Sequence, residues 1–69
     1  MQVSVSEKEQ LLIEYLMLSK AGEAAQMLVF IWLKTEEQKW EMCRFLRYNP
    51  DATEGQILWK TRQILGEEW

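Results

Sequence analysis

The chain contains no histidine and a single cysteine, Cys43. Without histidine it has no side chain whose ordinary pKa falls near neutrality, the usual requirement for a general base. A lone thiol cannot close an internal disulfide. With no imidazole to accompany it, it cannot supply the ligand set of a zinc site either. Cys43 follows Met42 on the apolar edge of a helical segment. It lacks the helix N-terminus or neighbouring histidine that would make a thiol reactive, so it reads as a small packed residue.

Glycine is equally sparse. Gly22, Gly55 and Gly66 are too scattered to form a phosphate-cradling loop. Two carboxylate pairs occur, Glu36/Glu37 and Glu67/Glu68. The first suits the positive end of a helix dipole and the second a solvated tail, and neither resembles an acid–base pair held in a cleft. The sequence therefore offers no catalytic, cofactor-binding or metal-ligating residue, and the expectation is a non-enzymatic protein.

Long apolar stretches are missing too. The longest uninterrupted run covers residues 27–33, whereas a membrane-spanning helix needs about 20 residues. The N-terminus has no basic segment, and Glu7 and Glu9 interrupt where a signal peptide's apolar core would begin. The expectation is a protein outside the membrane, in a reducing, cytoplasmic setting that suits a single thiol. A net charge of -3 disfavours broad binding to phosphate backbones or anionic lipid.

What is present is a globular composition, 48% hydrophobic and 28% charged, in 69 residues. That length makes one small domain. A chain of this size buries only about 60% of the surface its unfolded form exposes. With disulfide and metal unavailable, oligomerisation or close helix packing must supply the missing stability.

The pattern predicts an all-α bundle of four short helices, near residues 7–19, 23–33, 36–48 and 54–65. Ser6 with Glu9, Thr35 with Gln38 and Thr53 with Gln56 each have capping-box spacing. In the first helix Leu12, Tyr15, Leu16 and Ser19 form one stripe and Leu11, Leu18 and Gly22 the adjoining one, which predicts a wide buried face. Gly22 is read as the turn closing that helix, and Asn49 as a left-handed cap before Pro50. The third helix is the clearest amphipath. Met42, Phe45 and Leu46 lie at its centre, Trp40 and Cys43 at its edges, and Glu41 is spaced to pair with Arg44. Val3 and Val5 belong to a loose lead-in.

Residues 27–33 decide the functional reading. A strand there would lack a partner, so helix is the expectation. That helix has no side suited to water. Met27, Phe30 and Ile31 point one way, while Leu28, Val29, Trp32 and Leu33 cover the rest. An exposed patch of this kind is an aggregation hazard. Burial against a second copy removes it, and two-fold dimers are the commonest closed assembly. The expectation is a homodimer through Met27, Leu28, Phe30, Ile31 and Trp32. Tyr48, Trp59 and Trp69 form a candidate surface for another protein, because large rigid aromatics are favoured at interfaces. One alternative is a nucleic-acid-associated regulator using Arg44, Arg47, Lys60 and Arg62. Asp51 and Glu54 at the start of the presumed reading helix weigh against it. A third reading is an acidic binder presenting Glu36, Glu37 and Glu41 to a basic site.

Overall fold

A computed structural model describes residues 7–66. It contains α1 (Glu7–Leu18), α2 (Glu23–Trp32), α3 (Glu36–Tyr48) and α4 (Glu54–Ile64), and no strand among the described residues. The expected all-α bundle is present, with each boundary within a residue of its expected place. The capping-box reading of Ser6, the lead-in of Val3 and Val5, and Trp69 lie outside the described residues.

The packing closes a ring. α1 lies on α3, α3 on α4, α4 on α2, and α2 back on α1, with α1–α3 the most extensive contact. Each helix thus has two main neighbours and one outward side. The core runs through the middle of the ring. It combines Leu12 and Leu16 of α1, Ala25 and Val29 of α2, Met42, Cys43 and Leu46 of α3, and Ile57 of α4. Leu33, Ala21 and Ala52 fill it from the connections. Thr61 is fully buried in α4, and its hydroxyl donates to the Ile57 carbonyl at 2.8 Å, so no polar group is stranded there.

The caps of α3 and α4 form as their spacing predicts. Thr35 Oγ1 accepts from the Gln38 N–H at 3.1 Å, and Gln38 Oε1 accepts in return from the Thr35 N–H. Thr53 and Gln56 repeat the arrangement at 3.2 and 2.8 Å. Each cap satisfies donors that a helix start leaves without partners.

Four local expectations are corrected. Gly22 does not close α1. Ser19 does, its hydroxyl donating to the Leu16 carbonyl at 2.6 Å and accepting from the Ala21 N–H. Gly22 instead begins α2 with extended backbone at φ -71°. Its N–H donates to Glu54 Oε2 at 2.7 Å, and a Cβ at this position would sit 3.2 Å from that oxygen. Glycine is present for close approach, and a carboxylate from α4 serves as the anion at the α2 N-terminus. Asn49 is not left-handed: its backbone has φ -132° and ψ 66°, outside the helical region that the following proline disfavours. Its side-chain amide donates to the Phe45 carbonyl at 2.9 Å. Cys43 belongs to the centre of α3 rather than its edge, while Phe45 is half-buried. No ion pair joins Glu41 to Arg44 among the described residues.

The fifth correction is the largest. The buried face of α1 is narrow. Leu12 and Leu16 are enclosed, but Leu11, Ile13 and Met17 are exposed, and Leu18 is 84% exposed. Two neighbouring helices cover only one side of α1, so the second apolar stripe turns outward. Gly66, at φ 81°, follows α4 in the left-handed region, a conformation that glycine commonly adopts just past a helix end.

Candidate interaction surfaces

α2 sends Ala25 and Val29 inward, and Leu33 follows just past its end. The same registration turns Met27 and Ile31 outward, 63% and 56% exposed. They border an open groove of about 330 Å³ between α1 and α2, with Ile13 and Leu16 on the α1 side and Phe30 on the α2 side. Met17 follows Ile13 by one helical turn and continues the face. Of the five residues expected at a self-association surface, Met27, Leu28 and Ile31 are exposed, while Phe30 and Trp32 are half-buried. Phe30 is covered in part by Lys39, whose Nζ lies 5.7 Å from its ring centroid. Lys39 also reaches Glu9 at 3.3 Å, so one side chain joins α3 to both α1 and α2.

Ile13 and Met17, also exposed, are not among the residues expected at a self-association surface. The excess is legible in the sequence, but not which side of α1 carries it. Residues 11–18 contain one charged residue, Glu14, and more apolar surface than two neighbours can enclose.

A second groove, of about 410 Å³, separates the end of α3 from α4. Phe45, Tyr48, Pro50 and Trp59 border it, with Asn49, Asp51 and Gln56 at polar positions. Tyr48 and Trp59 are 76% and 57% exposed. Two of the three expected partner-surface aromatics are therefore brought together, across the connection containing Pro50.

The four basic residues are not gathered in one cleft. Arg44 and Lys60 flank a shallow groove that also contains Glu41, and Lys60 lies 5.7 Å from the Phe45 ring centroid. Arg47 borders a different groove with Tyr15 and Leu18. Arg62 lines neither. Glu36, Glu37 and Glu41 are exposed along α3, the first two in its opening turn.

Cys43 is enclosed between α3 and α1, with Sγ 3.8 Å from the Lys8 carbonyl. Burial pushes its thiol pKa up, so the protonated, weakly nucleophilic form is favoured. Among the described residues no group of three histidine, cysteine or carboxylate side chains is placed to hold a metal ion. No described helix is long and apolar enough to cross a membrane. No family model, curated protein or solved structure matches the chain.

Proposed function

We propose that this protein is a non-enzymatic interaction module that self-associates as a two-fold homodimer through the outer face of α2, joined by Ile13 and Met17 of α1. The supporting observation is the exposure of Met27 and Ile31 beside the α1–α2 groove. Removing apolar surface from water stabilises by about 25 cal/mol per Å². A standard interface takes about 800 Å² from each partner, roughly a sixth of the 5248 Å² surface of this chain. A protein this small also has the most to gain from enlarging its core.

The test is molar mass by size-exclusion chromatography with light scattering at micromolar concentration. The expected species has twice the 8.3 kDa chain mass. A monomer at that concentration rejects the reading.

The nucleic-acid alternative has less support. Glu41 stands in the groove flanked by Arg44 and Lys60, and Arg47 faces another groove. A phosphate backbone requires a continuous positive track. Mixed-sequence DNA at low salt is expected to show no retardation. Strong, salt-sensitive binding would promote this alternative.

A further inference from the structure

We propose that the two copies meet with their α2 helices antiparallel, Met27 of each against Ile31 of the other, and Glu23 paired with Lys34 of the partner subunit. This orientation rests on the self-association proposed above. It follows from how charge is distributed along α2. Glu23 opens the helix, and Lys34 stands just beyond its end. No charged residue lies between them. Both are exposed, and neither makes an ion pair among the described residues.

A contact along α2 therefore has an apolar middle and, at its two ends, exposed charges of opposite sign. A two-fold axis parallel to α2 sets Glu23 against Glu23 and Lys34 against Lys34. A two-fold axis perpendicular to α2 sets each Glu23 against Lys34 of the partner subunit. Like charges facing each other cost stability, and they specify against that arrangement. The flanking residues favour the same choice. Lys20 precedes Glu23, and Glu36 and Glu37 follow Lys34, all of them exposed. Antiparallel docking brings the lysine toward the two acids, and parallel docking stacks four carboxylates. The helix dipoles also oppose favourably when antiparallel.

The apolar middle fits this symmetry. Met27 and Ile31 are one turn apart on the outward side of α2. A perpendicular axis passing between them exchanges their positions, so each methionine meets an isoleucine. Each α2 then seats its outward side chains near the partner's groove, where Ile13 and Phe30 line the wall. The contact is isologous and closes at two copies.

Two experiments test the orientation. In a Cys43→Ala background, differently tagged Met27→Cys and Ile31→Cys chains are mixed, equilibrated and oxidised. The expected product is the mixed 27–31 disulfide, in excess over 27–27 and 31–31. Independently, with Cys43 retained, Glu23→Lys and Lys34→Glu are each expected to weaken the dimer roughly three- to tenfold. The double variant is expected to restore it. In a parallel dimer Glu23→Lys merely exchanges one like-charge pair for another. A persistent dimer giving mainly 27–27 links, or indifferent to the single charge changes, overturns the antiparallel orientation and leaves self-association standing. A monomeric parent chain overturns both.

Discussion

The two halves of this molecule solve the problem of the helix surface differently. α3 buries Met42, Cys43 and Leu46 and turns Glu37, Glu41 and Arg44 outward. Both α3 and α4 begin with complete capping boxes. α1 and α2 bury a comparable stripe, yet their outer sides carry Met17, Leu18, Met27 and Ile31. α2 has no side-chain cap of its own and takes its N-terminal anion from Glu54 of α4. In the α3–α4 half the exposed large apolar side chains are the aromatics Trp40, Tyr48 and Trp59, set among charged residues. In the α1–α2 half they are mostly aliphatic and run along the outer sides of both helices. A polar outer face makes a helix sufficient with two neighbours, and an apolar one leaves a requirement for a third.

The comparison breaks most forcefully in the shared core. Leu12 is fully buried where α1 meets the rest of the ring. Leu12→Ala is expected to cost about 2–5 kcal/mol, through lost burial and the cavity left behind. Urea unfolding followed by far-UV circular dichroism should show both halves losing structure together. Separate transitions would mean that the halves are independent.

The next change separates folding from association. Met27→Asp with Ile31→Asp is expected to raise the dimer dissociation constant more than a hundredfold, about 3 kcal/mol. The helical spectrum should persist, because neither side chain belongs to the core. The parent's midpoint should rise with protein concentration and the variant's should not. Loss of helix in the variant at every concentration would instead place these residues among the determinants of the single-chain fold.

Smaller effects probe the capped half and its loan to the other. Thr53→Ala removes a hydroxyl that accepts from the Gln56 N–H, and about 1 kcal/mol of stability is expected to go with it. Glu54→Gln keeps an acceptor for the Gly22 N–H but removes the charge at the α2 N-terminus. The expected loss is about 0.5–1 kcal/mol, diminishing with added salt. A loss indifferent to salt would mean that shape, not charge, sets this contact.

Cys43 gives the gentlest probe. Its pKa is raised by burial, so the unfolded chain ionises first as pH rises. Its contribution to stability is full below the unfolded thiol value of about 8.5, and it is lost as pH climbs through the higher folded value. A thiol reagent at pH 8 should react much more slowly with the folded protein than in denaturant. Equal rates would contradict enclosure of Cys43 between α1 and α3.

Much of the fold was legible because its signals are local. Thr-x-x-Gln spacing at 35 and 53, the Asn49-Pro50 break and the amphipathic period of α3 each act within a turn or two of chain. The exposed apolar surface was half legible. Residues 27–33 announced an excess of apolar surface, and Met27 and Ile31 emerged as its outward part. Ile13 and Met17 did not stand out, because α1 looked uniformly apolar and nothing in its own pattern says which stripe faces inward. Gly22 was misplaced for a related reason. A glycine after a helix suggests a left-handed cap, whereas its use here depends on Glu54, distant in sequence.

The sequence alone determined the helices, two of their caps, the lack of disulfide and zinc-ligand chemistry, and the presence of more apolar residues than a small bundle can enclose. These follow from short-range backbone preferences and from composition. Only the tertiary structure decided which apolar residues are left outside. The order in which α1, α3, α4 and α2 close their ring gives each helix two neighbours, and a side chain's exposure depends on those neighbours rather than on its own hydrophobicity. By that rule Leu12 and Val29 became core, while Met17, Met27 and Ile31, equally apolar, were left facing outward.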